Sequence, residues 1–217
     1  MMQRGQFITL DGPSGVGKST TLEALSDVLT RRRVPVRRTL EPSTTDTGRF
    51  VSENFAHIRG HALACLVAAD RYQHVEHEIR PWLDAGDTVV CDRYLASTLV
   101  MQRLDGVPLK FLLDLNAAVL RPDLSVILTA DPTLIASRIA ERGPRNRFHR
   151  DPTAPGREVA LYAETAGLLK TAGVGNVLVV NTGTATPTEV ASLIADAALK
   201  TPVASAASPS PSASQGP

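Results

Sequence analysis

The sequence has few aromatic residues. Five Phe, three Tyr and one Trp together make up 4% of its 217 residues. Aliphatic side chains must therefore build the core, and any pocket with an aromatic wall has few rings to draw on. Hydrophobic residues still account for 43% and charged residues for 21%, a composition typical of a folded globular chain.

The sequence also has almost no excess of charge of one sign. Its 23 Lys and Arg residues and 22 Asp and Glu residues leave a formal net charge of +1. This balance gives no support to binding of nucleic acid through bulk positive charge, so we expect no nucleic-acid partner. The basic cluster Arg31–Arg33 with Arg37 and Arg38 is interpreted as a solvated helix end and strand start.

Cysteine is scarce and long apolar runs are missing. Cys65 and Cys91 are too few for a disulfide framework or a C-x-x-C metal site, and their apolar neighbours predict two buried thiols in a reducing compartment. No apolar run approaches the ~18 residues of a membrane-spanning helix. The first residues lack the apolar stretch of a signal peptide. We therefore expect a cytoplasmic protein with no membrane partner.

Short apolar runs rich in β-forming residues alternate with segments of helical spacing. Several runs are continuously apolar, which is typical of strands buried on both faces. They lie at Phe7–Leu10, Val34–Leu40, Thr88–Cys91, Leu124–Thr129 and Asn176–Val180. Alternation of strand and helix predicts an α/β fold of three layers, with a five-stranded parallel sheet and helices on both faces.

We expect one domain over residues 1–200, followed by a tail. Thr186-Pro187-Thr188-Glu189 supplies an N-cap, a Pro at the first helical position and a capping-box Glu, so a last helix should run to about Lys200. Residues 201–217 are rich in Ala, Ser and Pro and carry no charge, which predicts a disordered tail. The irregular stretch at about 143–156, with three Pro and three Arg, is a candidate mobile lid.

The strongest chemical motif runs from Gly12 to Ser19. It fits G-x-x-x-x-G-K-[ST], follows the first predicted strand and opens a helix predicted from Ser19 onward. Backbone N–H groups of such a loop surround phosphate oxygens, Lys18 reaches the β- and γ-phosphates, and Ser19 offers a hydroxyl to Mg²⁺. The expected cofactors are ATP and Mg²⁺. The candidate ATP-binding residues are Gly12, Ser14, Gly15, Val16, Gly17, Lys18, Ser19 and Thr20.

Asp92 and Arg93 stand at the end of a second buried run. Asp92 ends the run Val89-Val90-Cys91, which is the position of a carboxylate that orients Mg²⁺ beside a phosphate loop. Arg93 follows at the carboxyl end of the same strand, where ligands of open α/β sheets bind. A guanidinium there can hold a second anion in bidentate geometry near the transferred phosphoryl group.

Taken together, these motifs resemble the thymidylate kinase family. The likeness extends from Phe7 to about Asn181. Its segments are Asp11-Gly12, Glu41-Pro42, Ala69-Asp70-Arg71, Asp92-Arg93-Tyr94, Arg121-Pro122-Asp123-Leu124 and Arg142-Gly143 with Arg147-Phe148. The resemblance implies a P-loop nucleoside-kinase fold, a homodimer packed through helices, and ATP-dependent phosphorylation of a pyrimidine (deoxy)nucleoside 5′-monophosphate, with dTMP to dTDP as the default reaction.

The resemblance also implies roles for individual residues. Arg93 would hold the acceptor 5′-phosphate, with Asp11 near the acceptor sugar and phosphate. Arg71 would hydrogen-bond the base. The remaining acceptor-site positions are Glu41, Pro42, Thr98 and Gln102. Because the variable positions of this P-loop carry no basic residue, the catalytic arginine would come from the lid arginines Arg142, Arg145 and Arg147. The implied catalytic set is Lys18, Arg93, Asp11, Arg147 and Arg142, and the implied metal ligands are Ser19 and Asp92.

Two acceptor-site positions depart from the family pattern. Val67 stands where the family usually has a Phe that stacks on thymine, and Met101 stands where many members have a Tyr that packs on the deoxyribose. Loss of a stacked ring removes about 1–3 kcal/mol on the scale measured for bases on aromatic side chains. These positions therefore leave open a relative adapted to another pyrimidine or to a modified nucleoside monophosphate.

Two further classes of function stay open at the level of sequence. In a deoxynucleoside kinase, Glu41 would act as general base on a 5′-hydroxyl; Arg93 and the spacing around Ala69-Asp70-Arg71 argue against it. A GTP-binding switch or an ATP-driven binding module would also contain a P-loop. The guanine-reading sequence Asn-Lys-x-Asp is absent, and Thr129-Ala130-Asp131 after the fourth run does not supply it.

Overall fold

The fold is described from a computed structural model, which covers residues 4–143, 151, 153–173 and 175–203, with only the backbone of Arg142. In this part of the chain, five parallel strands form one sheet in the order β2-β3-β1-β4-β5. The strands are β1 (Phe7–Asp11), β2 (Val36–Leu40), β3 (Thr88–Asp92), β4 (Leu124–Thr129) and β5 (Asn176–Asn181). The predicted five-stranded parallel α/β sheet is confirmed.

Helices connect the strands and cover both faces of the sheet. They are α1 (Lys18–Arg31), α2 (Asp46–Asn54), α3 (Gly60–His74), α4 (Arg80–Asp84), α5 (Leu95–Leu104), α6 (Leu109–Leu115), α7 (Pro132–Arg142), α8 (Ala154–Thr171) and α9 (Pro187–Lys200). A π-helical turn, Val75–Ile79, joins α3 to α4. None of these helices is both long and apolar enough to cross a membrane.

Alternate residues of the buried strands face two separate cores. Phe7 and Ile127 pack with side chains of α3, α5, α6 and α8 on one face of the sheet. Ile8, Leu10 and Val126 pack with side chains of α1, α7 and α9 on the other. Because neighbouring residues of a strand point to opposite faces, this arrangement requires the continuously apolar runs found in the sequence.

Some element boundaries differ from the sequence prediction because a backbone group bonds to a neighbouring element. The second strand begins at Val36, not at Val34, because the Val34 N–H donates to the Leu29 carbonyl at 3.0 Å and closes the end of α1. The last helix has the predicted capping box between Thr186 and Glu189 and ends at Lys200. The irregular stretch predicted at about 143–156 overlaps the first turn of α8, which begins at Ala154.

The two cysteines differ in burial. Cys91 is buried in β3, as predicted, but Cys65 is exposed on α3, so the prediction of its burial was wrong. Its neighbours Ala62 and Ala69, three before and four after it, are exposed on the same side of α3. Apolar neighbours in sequence therefore mark a solvent-facing apolar stripe here, not a core position.

Candidate active site

The P-loop between β1 and α1 requires glycine at its bends. Gly12 has a φ of +150°, and a Cβ built on it would lie 2.5 Å from the Leu128 carbonyl oxygen. Gly17 caps α1 with a φ of +102°, in the left-handed region that favours glycine. The loop therefore curves tightly against β4 and leads directly into the N-terminus of α1, an arrangement that suits phosphate binding.

Lys18 is buried at the first position of α1. Its ammonium donates to the carbonyl oxygens of Gly12 and Pro13, both at 2.9 Å. Burial, followed by the nearby positive charge of Arg93, lowers the pKa of Lys18 to about 7, although Asp92 and other carboxylates act in the opposite direction. The lysine thus lacks a full counter-charge, which a phosphate group would supply.

Ser19 and Asp92 meet beside the P-loop. The Ser19 hydroxyl donates to Asp92 Oδ2 at 3.4 Å. Asp92 Oδ1 is buried and has no hydrogen-bond partner among the described residues. A hydroxyl and a carboxylate oxygen are hard ligands of the kind that Mg²⁺ prefers, with phosphate oxygens and water completing its coordination. These two residues fit the metal site that the sequence predicts.

Arg93 adopts an unusual backbone conformation at the end of β3. Its φ of +72° lies in the left-handed region, which is sparsely populated by residues with a side chain and is concentrated at functional sites. The backbone N–H donates to the Leu10 carbonyl at 2.9 Å, and a guanidinium N–H lies 3.4 Å from Ser97 Oγ. Burial acts to lower the pKa of Arg93, but Tyr162, Asp92 and other groups outweigh it and raise the pKa. The side chain stays cationic.

Asp11 does not line the site; it supports the site at the junction of β1 and α5. Its Oδ1 accepts hydrogen bonds from the backbone N–H groups of Tyr94 and Ser97, each at 2.9 Å. It therefore fixes the first turn of α5 against the end of β1. Asp11 Oδ2 is buried and has no partner among the described residues.

A cavity of about 200 Å³ opens next to Arg93. All predicted substrate-binding residues except Asp11 lie on its wall. The lining residues are Glu41, Pro42, Phe55, Val67, Arg71, Arg93, Tyr94, Ser97, Thr98, Met101 and Gln102. We call this space the acceptor cavity. The structure thus brings together residues of α3, of α5 and of the segment after β2 that are up to about sixty positions apart in sequence.

Arg71 is held in one orientation at the back of the acceptor cavity. Its Nε and Nη2 donate to Glu41 Oε2 at 2.9 and 2.7 Å. Nη2 also donates to Thr98 Oγ1, and Nη1 donates to Asn116 Oδ1, both at 2.7 Å. The guanidinium lies 5.0 Å from the centre of the Tyr94 ring. Burial acts to lower the pKa of Arg71, but Glu41 outweighs it, so the pKa is raised and the cation persists.

Sequence reasoning missed the ring that Phe55 contributes. Phe55 follows α2, lines the acceptor cavity and packs with Val67 in a small apolar cluster. No motif surrounds it, and only the scarcity of aromatic residues could have directed attention to each Phe in turn. Gln102 Oε1, also buried on the cavity side of α5, has no hydrogen-bond partner among the described residues. The cavity therefore offers an aromatic face and a buried acceptor atom.

The loop before α2 is fixed to α3 through Ser43. The Ser43 N–H donates to Asp70 Oδ2 at 2.8 Å, and its hydroxyl donates to Asp70 Oδ1. The loop that carries Glu41 and Pro42 is thereby fastened to Asp70 of α3, the residue next to Arg71.

A second cavity, of about 370 Å³, lies on the other side of the P-loop. Its wall combines P-loop and α1 residues with residues of α7 and of the segment between β5 and α9. The lining residues are Gly15, Val16, Gly17, Thr20, Thr21, Arg138, Thr182, Ala185, Pro187 and Val190. We call this space the donor cavity. Thr182 Oγ1 donates to the Val16 carbonyl at 2.7 Å and fixes one wall to the P-loop. Sequence reasoning missed Arg138 and Thr182.

The predicted lid arginines are not placed by the structure. Arg145 and Arg147 lie outside the described residues, and so does the side chain of Arg142, although its backbone ends α7. Their role stays a prediction.

The fold and the site define a class of protein. A P-loop stands between two cavities, and the buried Arg71 and the half-buried Arg93 line the acceptor cavity; this is the arrangement of a P-loop phosphotransferase with separate donor and acceptor sites. The sequence model of the family described as thymidylate kinase matches residues 10–167. The chain belongs to the thymidylate kinase family, and it is a nucleoside monophosphate kinase.

Individual relatives agree with this assignment. A thymidylate kinase of Clavibacter sepedonicus is 42% identical over 154 residues, which cover 67% of this chain and 72% of that protein. A probable thymidylate kinase of Caldivirga maquilingensis is 36% identical over 149 residues, covering 67% and 73%. Among solved structures, the thymidylate kinase of Candida albicans has a TM-score of 0.73 at 21% identity, covering 91% of this chain and 92% of that chain, and supports the fold.

Proposed function

We propose that the enzyme transfers the γ-phosphoryl group of Mg·ATP to a pyrimidine nucleoside 5′-monophosphate, converting dTMP to dTDP. The observation that carries the proposal is the position of Arg93. It lines the acceptor cavity, and its charge lies near enough to the P-loop lysine to lower the pKa of Lys18. A phosphate held by Arg93 would therefore stand beside the terminal phosphate held by Lys18.

In this reaction an oxygen of the acceptor phosphate attacks the γ-phosphorus, and the bond to the β–γ bridging oxygen breaks, leaving ADP. Lys18 and Arg93 neutralise charge on the reacting phosphates from either side, which is the main protein contribution to phosphoryl transfer. Mg²⁺, when held by Ser19 and Asp92, would neutralise further charge on the donor phosphates. The donor cavity next to Arg138 would take the nucleoside part of ATP.

The acceptor cavity suits a single-ring base. Its volume of about 200 Å³ is small, and Phe55 and Val67 offer an apolar face. Gln102 Oε1 is a buried acceptor that suits an imide N–H of the kind thymine and uracil carry. Among the described residues, Glu41, Thr98 and Asn116 engage four of the five N–H donors of Arg71, which leaves one Nη1 hydrogen for the base.

Two alternative functions can be weighed on the residues of the acceptor cavity. Val67 and Met101 favour, as second candidate, a different pyrimidine or a modified nucleoside monophosphate, because they replace rings that would narrow the cavity. A deoxynucleoside kinase is disfavoured, because Glu41 Oε2 accepts two hydrogen bonds from Arg71 and is committed to this buried ion pair.

The proposal includes a homodimer in the cytoplasm. The stripe on α3 formed by Ala62, Cys65 and Ala69 is exposed, and Leu113 of the adjoining helix α6 is 43% exposed. A second copy of the chain would cover this apolar surface, and a reducing compartment would keep the Cys65 thiol free. Sedimentation equilibrium of the purified protein tests the dimer; a monomeric mass at micromolar concentration would contradict it.

A coupled kinase assay tests the proposed reaction. With Mg·ATP fixed, turnover would be compared for dTMP, dUMP, dCMP, UMP, dAMP and dGMP. We expect the highest kcat/KM with dTMP and low activity with both purine nucleotides, since the apolar face of Phe55 and Val67 and the polar groups of Arg71 and Gln102 suit a single ring. A preference for a purine monophosphate would overturn the pyrimidine assignment, whereas a preference for dCMP or UMP would favour the second candidate.

A further inference from the structure

One backbone N–H group of the P-loop donates a hydrogen bond to a carboxylate of the protein itself. Glu158, on the first turns of α8, accepts a hydrogen bond at 2.9 Å from the backbone N–H of Ser14, which lies among the variable positions of the loop. Glu158 is only 2% exposed. Four residues later on α8, the Tyr162 hydroxyl lies 3.1 Å from Ser97 Oγ and fixes the helix against α5. The carboxylate is thus held in the site by the helix that carries it.

The charge of Glu158 acts on both phosphate-binding cations. Burial lowers the pKa of Lys18 and acts to lower that of Arg93, while Glu158 is among the groups that raise both. The other two carboxylates near these cations have different partners: Asp11 caps α5, and Asp92 lies next to Ser19. Among the described residues, Glu158 is the carboxylate that accepts a hydrogen bond from a backbone N–H of the phosphate loop, at Ser14.

We propose that Glu158 is an internal counter-anion of the donor-phosphate site. It neutralises the site before nucleotide arrives, and it opposes nucleotide binding because incoming phosphates take over the Ser14 N–H and the two cations. This inference rests on the proposed use of ATP at the P-loop. It also explains how the buried Lys18 and the half-buried Arg93 remain close together without bound phosphate, since buried charge without compensation is strongly destabilising.

The substitution Glu158→Gln tests the proposal, because it removes the charge and keeps an oxygen that can accept the Ser14 hydrogen bond. Isothermal titration of the full chain with Mg·ATP, and separately with inorganic tripolyphosphate, would be carried out without acceptor. We expect both ligands to bind about threefold to tenfold tighter to the variant, as removal of one nearby like charge predicts. Glu164→Gln is the matched control, on the same helix but half-exposed and paired with Arg103; its affinities should equal those of the wild type.

Thermal unfolding supplies a second readout. Without nucleotide, E158Q should unfold at a lower temperature than the wild type, because Lys18 and Arg93 lose their counter-anion. Saturating tripolyphosphate should then raise its Tm by more than it raises that of the wild type. Glu158→Ala, which also removes the acceptor atom, should shift the affinities in the same direction and serves if E158Q does not fold.

The outcomes separate the inference from the proposed function. Equal or weaker binding by both variants would overturn the counter-anion role and would assign Glu158 to bracing of the loop. Unchanged binding of Mg·ATP combined with weaker binding of dTMP would overturn it in favour of a contact with the acceptor. A wild type that binds neither Mg·ATP nor tripolyphosphate would overturn the use of ATP at the P-loop, and this inference with it.

Discussion

The donor and acceptor halves of the site are built in different ways. The donor half uses consecutive residues of one loop, whose backbone N–H groups and two side chains, Lys18 and Ser19, would meet phosphate directly in the proposed reaction. The acceptor half uses side chains from α3, from α5 and from the segments after β2 and after α2, fixed by the buried pair of Arg71 and Glu41. A phosphate is the same in every nucleotide, so a local motif suffices for it. A base differs, and its pocket varies residue by residue.

The largest expected effect falls on the donor half. Lys18→Met removes the cation that neutralises the transferred phosphoryl group, and we expect kcat to fall by about 10²–10³-fold, the scale found when one stabilising donor of a transition state is removed. Binding of dTMP, measured by titration without ATP, should change less than threefold. A loss of kcat below tenfold would contradict the assignment of Lys18.

A substitution of Arg93 should mainly weaken binding of dTMP, in contrast to the substitution of Lys18. Arg93→Gly removes the guanidinium while its backbone keeps a left-handed conformation without strain, so the loss of the side chain is measured alone. We expect KM for dTMP to rise about 10- to 100-fold, the value of a charge-assisted hydrogen bond or two. KM for ATP should change much less. An equal rise in both values would remove the distinction between the halves.

Substitution of Phe55 should raise only KM for dTMP, and by less than substitution of Arg93 does. Phe55→Ala removes the ring that faces the cavity beside Val67, and we expect KM for dTMP to rise about 5- to 20-fold, within the range for stacking of a base on a ring. Phe50→Ala on α2 is the matched control, since Phe50 is 47% exposed and does not line the cavity. Equal kinetic effects of both substitutions would exclude a contact between Phe55 and the base.

The smallest expected effect is the pH dependence of Mg·ATP binding, which follows from the titration of Lys18. The pKa of Lys18 is about 7 without nucleotide, and bound phosphate requires the charged form. Below about pH 6 the lysine is almost fully charged and affinity should be nearly constant; from pH 7 to 8, Kd for Mg·ATP should rise about fivefold as a proton must be taken up. Titration in buffers of different ionisation enthalpy measures that uptake. Affinity that does not change with pH would contradict it, and K18M serves as the control without a titrating lysine.

The sequence predicted the sheet and the P-loop well, because both depend on local patterns. Continuous apolar runs predicted the five strands, and the motif from Gly12 to Ser19 predicted a strand–loop–helix unit that the structure has between β1 and α1. Contacts that depend on three-dimensional proximity were not predictable. Phe55 reaches the acceptor cavity and Glu158 reaches Ser14 from elements without a motif, and Cys65 lies on an apolar stripe that faces outward.

The central claim is that the acceptor is a phosphate held by Arg93, and the most direct test compares thymidine with dTMP as acceptors for the labelled γ-phosphoryl group of ATP. At equal concentrations, we predict label transfer to dTMP with formation of dTDP, and far slower transfer to thymidine. Faster phosphorylation of thymidine would contradict the account and would favour a nucleoside kinase in which Glu41 serves as the base.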